Sequence, residues 1–226
     1  MNFRLPFAAI SLSAAAWAAY VAVPEGWMGT AAIPTKNDRC TNGFGSTIRE
    51  DGSPVACGEV ITPVQAVTRS LAHIAKDETG LKKCVIGEAL QAEFDILFSF
   101  SYQYGVSATC KSSVVKYINS GEYLKACNAY TEYKYLTTAV ATPGWTPFKY
   151  DAAGAPIRWR FDCSTPGNKV CAGVWTRNLE RRDRCLAAQS VPTPTPIPTI
   201  VAPVEPDPVE IEQPKSWWTR IREWFA

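Results

Sequence analysis

The distribution of apolar and polar positions divides the chain into a short β region and a longer helical region. Residues 41–47 mix polar, small and aromatic side chains around two glycines, which is typical of a hairpin whose backbone lies close to a ligand. Between residues 62 and 190, apolar side chains recur at the spacing of amphipathic helices. This order predicts an α+β fold, with a small β-hairpin lobe followed by a larger helical lobe.

The helical lobe begins with a clear start signal. Thr62, Pro63 and Gln65 occupy the N-cap, first and third positions of a capping box. The helix that follows is expected to extend to about Glu78. Helical spacing predicts that its buried face consists of Val64, Val67, Leu71 and Ile74.

Further helices and one loop complete the predicted lobe. Ala89–Tyr104 is apolar enough to be the central buried helix, and Gly105 is its natural C-cap. Three more helices are predicted near residues 112–119, 121–135 and 174–187. Residues 137–162 are rich in proline, glycine and aromatics, and they predict an ordered surface loop. Its aromatic side chains are expected to pack on the helical lobe rather than line a sugar cleft.

Composition limits the kinds of site that the chain can carry. The 226 residues suffice for one sizeable domain with appendages, and a net charge of +2 gives no indication of nucleic-acid binding. The one histidine, His73, is expected to lie on an ordinary helix. Because no Cys-x-x-Cys pair is present, neither a zinc nor a haem site is expected. The sequence predicts no cofactor and no metal.

Eight dispersed cysteines indicate disulfides and an oxidising compartment. The pair Cys163–Cys171 is the best local prediction, because Pro166-Gly167 marks a turn between the two cysteines. A bond between Cys40 and Cys57 would join the ends of the hairpin lobe. The pairing of the other four cysteines stays open.

Residues 1–24 predict an N-terminal membrane anchor. The twenty residues from Leu5 to Pro24 carry no charge, which matches the ~20 residues of a bilayer-crossing helix. With Arg4 before the run and Glu25 after it, the positive-inside rule places the N-terminus in the cytoplasm and the body outside. Eight of the twenty residues are alanine, so the anchor is weak. Release of an uncleaved anchor is favoured over cleavage as a signal peptide, the alternative.

The chain beyond the helical lobe has two parts. Residues 191–214 contain eight prolines and predict an extended linker, with a length of up to roughly 75 Å. Residues 215–226 form a tryptophan-rich amphipathic tail of the kind that seeks membrane surfaces. Docking of this tail on the protein's own body is the alternative.

Several motifs resemble one enzyme family. Glu25-Gly26 followed by Thr41-Asn-Gly-Phe-Gly-Ser-Thr47 resembles the catalytic region of phage-type lysozymes, glycoside hydrolase family 24. Three later segments resemble further motifs of that family in the same order, and they lie at residues 99–105, 112–123 and 173–182. The resemblance extends over about residues 25–186. Some members carry a signal-anchor-release segment, and residues 5–24 resemble one.

The resemblance implies a lysozyme-like fold for a catalytic domain at residues 25–190. It also implies an endolysin that hydrolyses the β-1,4 bond between N-acetylmuramic acid and N-acetylglucosamine in peptidoglycan, for host cell lysis. We expect a monomer that is held at the host inner membrane and then acts in the periplasm. Glu25, next to Trp27, is the expected general acid, since such an acid needs a poorly solvated site that raises its pKa.

The chain departs from the family pattern at the second catalytic position. The family places an aspartate, sometimes a cysteine, six residues before the strand threonine, and here Thr35 stands there. A threonine can only orient water, so either Thr35 or Asp38 is expected beside a water that Thr41 positions. The other nearby acids, Glu50, Asp51 and Glu59, are expected to be solvated turn residues. The missing aspartate motivates one alternative, a non-catalytic peptidoglycan-binding envelope protein, and the tail motivates another, a membrane-disrupting protein.

Overall fold

The computed structural model describes residues 3–23, 26–34 and 38–190. Glu25 and Thr35 lie outside the described residues, as do the predicted linker and tail from residue 191 onwards. The described chain contains the small hairpin lobe and the larger helical lobe that the sequence predicts, and the expectation of an α+β fold is confirmed.

The N-terminal segment folds into several short pieces that pack against the helical lobe. Strand β1 (Leu5–Pro6) is followed by a 3-10 turn (Phe7–Ala9), helix α1 (Ala14–Trp17) and a π-helical turn (Ala18–Ala22). Several of its apolar side chains are buried, namely Phe7, Ile10, Ala16 and Val21. In the described ranges, no helix is both long enough and apolar enough to span a bilayer.

Polar contacts also hold this segment to the helical lobe. Backbone N–H groups of Leu12 and Ser13 donate to Glu78 at 2.6 Å and to Asp95 at 3.0 Å. The Ser13 hydroxyl donates to Asp95 at 2.7 Å and caps α1 by accepting from the N–H of Ala16. Both partner carboxylates are almost fully buried. Residues 11–13 are therefore not helical, and the carboxylates of Glu78 and Asp95 accept backbone N–H groups there.

The hairpin lobe consists of strands β2 (Met28–Ala32) and β3 (Thr41–Gly43), which pair antiparallel. The predicted disulfide Cys40–Cys57 is confirmed, and it links the start of β3 to the loop that leads into the helical lobe. The hairpin carries Thr41 at the first position of β3.

Helix α2 (Pro63–Lys82) has the predicted capping box but ends four residues later than expected. The prediction of its buried face is wrong at Val64 and Leu71, which are 76% and 52% exposed. The helix instead buries a mixed set of residues: Ala66, Arg69, Ser70, Ile74, Glu78 and Leu81. Apolar spacing missed this face because half of it is polar.

Strand β4 (Glu88–Ala89) precedes the central helix α3 (Gln91–Tyr104). The helix begins two residues later than predicted, because Ala89 pairs with Leu5 of β1. The carboxylate of Glu93 accepts the N–H of Leu90 at 2.7 Å. Almost every side chain from Glu93 to Ser101 is buried, and Gly105 ends the helix with a φ of 81°. Its role as the central buried helix is confirmed.

The next part of the lobe consists of α4 (Val106–Cys110), α5 (Ser113–Asn119) and α6 (Tyr123–Ala129). The prediction of one helix over residues 121–135 is wrong. After α6 the chain forms a 3-10 turn (Tyr130–Glu132) and then enters a strand at Tyr135. Tyr130 is fully buried in the main core, and burial raises the pKa of its hydroxyl.

Residues 137–162 form most of a three-stranded antiparallel sheet and not the predicted loop. Strands β5 (Tyr135–Thr138) and β6 (Thr146–Tyr150) flank the central strand β7 (Pro156–Asp162). None of the residues in these three strands is buried. The expectation that the aromatics pack on the helical lobe is therefore wrong for Phe148 and Tyr150, which are 39% and 52% exposed.

Helix α7 (Ala172–Ser190) completes the described chain and is longer than predicted at both ends. The predicted disulfide Cys163–Cys171 is confirmed, and it joins the end of the sheet to the start of α7. The four cysteines left open by the sequence form the bonds Cys84–Cys110 and Cys127–Cys185.

Candidate active site

The hairpin that carries Thr41 is packed directly against helix α2. Ala32 lies opposite Thr41 and Met28 lies opposite Gly43. Gly43 has a φ of 60°, and a Cβ at this position would lie 2.9 Å from the Cβ of Ala66. Both facts favour glycine, because it tolerates a positive φ and leaves room for a close neighbour. The backbone of β3 at Gly43 therefore lies so close to α2 that no side chain would fit between them.

A buried hydrogen-bond network lies beneath the hairpin and begins one residue after Thr41. Asn42 is fully buried, and its Oδ1 accepts a 2.9 Å hydrogen bond from Nη1 of Arg69. Arg69, which is 6% exposed, also lies 3.2 Å from Glu50 and 3.3 Å from Glu59. Buried charge is tolerated here because carboxylates and an amide surround it. The network fixes the strand that presents Thr41.

The prediction of a solvated turn residue is wrong for Glu59, which is half-buried and contacts both Arg49 and Arg69. Glu50 is exposed in its turn, as predicted, although it also contacts Arg69. A hydrogen bond from Arg49, at 2.8 Å, is the main reason why the pKa of Glu59 is lowered. A backbone hydrogen bond, followed in size by Arg69, lowers the pKa of Glu50. Both carboxylates are therefore ionised at neutral pH and serve the network. Asp51 is exposed in its turn, as predicted.

Asp38 lies in the loop that leads into β3, three residues before Thr41, and both side chains bind the backbone of Arg39. The Asp38 Oδ1 accepts the N–H of Arg39 at 2.8 Å, and the Thr41 hydroxyl donates to the carbonyl of Arg39 at 3.1 Å. Asp38 is exposed and Thr41 is half-buried. Because Glu25 and Thr35 lie outside the described residues, the choice between Thr35 and Asp38 stays a prediction.

Aromatic contacts hold the chain on both sides of Glu25 to the hairpin. The ring of Phe44 lies 5.5 Å from that of Trp17, edge to face, and 5.7 Å from that of Trp27. The indole N–H of Trp17 donates to the hydroxyl of Ser70 on α2 at 2.9 Å. Sequence reasoning missed this cluster because Trp17 belongs to the segment interpreted as a membrane helix.

A cavity of about 300 Å³ lies beside Tyr20, near the end of the helical segment that precedes Glu25. Arg177 and Arg181 donate to the same amide oxygen of Gln103, at 3.2 and 2.9 Å, and Arg184 donates to the hydroxyl of Tyr20 at 2.8 Å. Burial lowers the pKa of Arg181. Three guanidinium groups against one lining carboxylate make the cavity suitable for an anionic group. The resemblance included both Gln103 and Arg177 but assigned them no role.

The described residues contain one cluster whose donor atoms lie close enough for a metal ion. It consists of Glu93, Cys127 and Cys185, whose ligand atoms lie within 4.8 Å of one another. The two cysteines are bonded to each other, so they offer no thiolate to a metal. This cluster therefore belongs to the core.

Comparison with known sequences assigns the chain to a family. The sequence model of the phage lysozyme family matches residues 24–145, which is more than half of the chain. The chain belongs to the phage lysozyme family. The matched residues include all four predicted site residues, Glu25, Thr35, Asp38 and Thr41.

Individual relatives agree with this assignment. The endolysin of Bacillus phage B103 is 29% identical over 102 residues, which cover 45% of this chain but only 37% of that endolysin. The endolysin of Escherichia coli O157:H7 phage FAHEc1 superposes with a TM-score of 0.58 at 25% identity, covering 81% of this chain and 96% of that one. The muramidase domain of SpmX from Asticaccaulis excentricus has a TM-score of 0.56 at 18% identity, covering 78% and 98%. The last similarity concerns the fold alone.

Two parts of the described chain lie outside the residues that the family model matches. One is the N-terminal segment that packs on the helical lobe, and the other contains strands β6 and β7 with helix α7. The hairpin and its Arg69 network lie inside the match. The family relationship therefore concerns the hairpin and the central helices.

Proposed function

We propose that the protein is an endolysin that hydrolyses the β-1,4 bond between N-acetylmuramic acid and N-acetylglucosamine in peptidoglycan. Membership of the phage lysozyme family is the observation that carries this proposal. The buried network beneath Thr41 supports it, because an active site needs a rigid frame.

In the proposed reaction, the Glu25 carboxylic acid protonates the oxygen of the leaving sugar. A water then attacks the anomeric carbon from the opposite face, and a second group accepts its proton if the enzyme inverts configuration. Thr41 is proposed to position this water, with Thr35 or Asp38 beside it. Asp38 is the carboxylate of the two, and it lies on the loop of Thr41.

Replacing Glu25 with glutamine tests the proposal. The purified variant should clear a turbid peptidoglycan suspension at least roughly a hundredfold more slowly, the size expected for loss of a general acid. Glu88→Gln is the matched control, since Glu88 is exposed and pairs with β1 through its backbone. Undiminished clearing by Glu25→Gln would favour the non-catalytic envelope protein instead.

The two candidates for the second group are separated by their own variants. If Asp38 accepts the proton, Asp38→Asn should lose activity by a similar factor, whereas Thr35→Ala should retain most of it. The opposite result assigns the role to Thr35. Asp51→Asn, in an exposed turn of the same lobe, controls for the change of charge.

We also propose that residues 5–24 insert first in the host inner membrane, with the N-terminus in the cytoplasm. They would then leave the membrane uncleaved and pack as they do in the folded protein. Release has more support than cleavage, because cleavage near Ala22 would remove four buried apolar residues and the hydrogen bonds to Glu78 and Asp95. Removal of packed core side chains destabilises a domain strongly.

Leucine substitutions at exposed alanines test this route. Ala8, Ala9, Ala14 and Ala15 are exposed in the folded protein, so leucines there raise membrane affinity without overfilling the core. Cells that express the fourfold variant should survive, with the protein in the membrane fraction. Rapid lysis, or a mature chain that begins near residue 23, contradicts the proposal.

The tail at residues 215–226, outside the described residues, is proposed to bind the membrane surface. Its deletion should reduce killing of intact cells and leave hydrolysis of purified walls unchanged. Equal loss of both activities would instead indicate that the tail supports the enzyme body.

A further inference from the structure

The sheet of strands β5, β6 and β7 lacks the buried face that such sheets usually have. Three antiparallel strands normally gain stability by covering one side with a hydrophobic core. Here every strand residue is at least partly exposed. Strands β6 and β7 also lie beyond residue 145, where the family match ends. Most of this surface therefore lies outside the matched residues, and its exposed residues need an explanation.

One face of this sheet concentrates unpaired positive charge. Lys149 lies directly opposite Arg158 in the register, and Arg160 follows two residues later on the same face. Like charges in opposite positions destabilise a sheet. Within residues 38–190, none of these three side chains has a carboxylate partner. Repulsion between these side chains reduces the stability of the free protein. Binding of an anionic partner would reduce that repulsion.

Aromatic rings hold one of the guanidinium groups in place. The guanidinium carbon of Arg160 lies 4.4 Å from the ring centre of Tyr135 and 5.7 Å from that of Phe148. A stacked guanidinium keeps its N–H groups at the edge, where they can bind both oxygens of a carboxylate. We call Tyr135, Phe148, Lys149, Arg158 and Arg160 the cationic face.

We propose that the cationic face binds the peptidoglycan wall through the carboxylates of its stem peptides, as a second attachment point apart from the catalytic hairpin. The inference rests on the proposed function for the identity of the wall. A carboxylate-bearing polymer matches both the charge of the face and the bidentate geometry of arginine. A bilayer surface fits less well, because the large aliphatic side chain of Leu136 alternates with the face residue Tyr135 and lies on the opposite side.

Co-sedimentation with purified, insoluble peptidoglycan tests the proposal. Full-length protein carrying Glu25→Gln is used so that the wall stays intact, and Arg158→Gln/Arg160→Gln is added to it. The double change should raise the dissociation constant for the wall roughly tenfold at low salt, with a smaller difference at high salt. Lys149→Gln alone should give a smaller rise in the same direction.

Lys76→Gln/Lys111→Gln is the matched control, because both lysines are exposed on the helical lobe and the change in charge is equal. This control should bind the wall like the parent protein. Equal weakening in the control, or unchanged binding in the arginine variant, overturns the proposal. So does arginine-dependent binding to anionic phospholipid vesicles but not to the wall, or arginine-dependent dimerisation in sedimentation velocity.

A separate measurement keeps the two proposals distinguishable. With Glu25 intact, the arginine variant should clear whole walls more slowly, while its rate on short glycan fragments without stem peptides stays at the parent level. Failure of the endolysin proposal would appear instead as Glu25→Gln retaining full clearing. Wall binding through the sheet is measured without any turnover.

Discussion

The N-terminal segment and the three-stranded sheet show opposite relations between hydrophobicity and burial. The segment consists largely of alanine, yet Phe7 and Ile10 are 1% and 2% exposed against the central helix. The sheet is richer in aromatic residues, yet Phe148 and Tyr150 are 39% and 52% exposed. The difference arises because the segment has neighbours that accept its backbone donors, while the sheet contacts mainly itself. Burial in this protein depends on available partners more than on residue type.

Truncating one phenylalanine in each region gives the largest predicted contrast. The ring of Phe7 lies 4.6 Å from that of Phe94 in the main core, so Phe7→Ala should lower the free energy of unfolding by about 3–5 kcal/mol. Phe148→Ala should lower it by less than about 1 kcal/mol, because the side chain is already partly solvated. Urea titrations of both variants measure the contrast, and similar losses would show that the sheet is covered in solution.

Two aspartates that accept backbone donors give an intermediate contrast. Asp95 binds Ser13 across 82 residues of chain, whereas Asp151 accepts the N–H groups of Ala153 and Ala155 within its own turn. We expect Asp95→Asn to cost about 1–3 kcal/mol, because a buried acceptor is lost. Asp151→Asn should cost about 1 kcal/mol or less, since both bonds go to one oxygen and the amide oxygen of asparagine can still accept them. Thermal unfolding of the two variants at one pH is the measurement, and a larger effect at Asp151 contradicts the comparison.

The smallest predicted effect depends on pH and concerns the base of the sheet. Although burial opposes the shift, hydrogen bonds from Lys134 and Ser164 lower the pKa of Asp162 from its ordinary 3.8 to about 2. A lowered pKa contributes stability above the unfolded value, and this contribution disappears as the pH falls from about 4 to 2. At pH 6, Asp162→Asn should therefore lower the free energy of unfolding by less than about 1 kcal/mol, which appears as a slightly lower melting temperature. At pH 2 the two proteins should melt at nearly the same temperature. A difference that persists at pH 2 would contradict this assignment.

Features set by nearby residues could be predicted from the sequence. The capping box at Thr62 and the end of α3 at Gly105 both depend on contacts within a few positions. The bond Cys163–Cys171 closes a loop of sequence separation 8. The hairpin around Thr41 was predicted from its two glycines, but its catalytic role came from the resemblance to a family, since a short motif alone indicates little.

Features set by distant residues could not be predicted. Arg69 lies 27 residues from Asn42, and its helical position carries no sign that it is buried beside carboxylates. The N-terminal segment has the composition of a weak anchor, and only Glu78 and Asp95 show why it can also fold into the lobe. The sheet was mistaken for a loop because its prolines and glycines conceal strand pairing, which joins residues up to 27 positions apart.

The contact of Arg4 with Gln189 imposes an order on biosynthesis. Arg4 pairs with Glu93, donates to the amide oxygen of Gln189 at 2.5 Å, and lies over the ring of Tyr123. Gln189 is thus synthesised 185 residues after Arg4. The N-terminal segment can contact Glu78 and Asp95 once α3 has been made, but Arg4 cannot complete its contacts until α7 has been made.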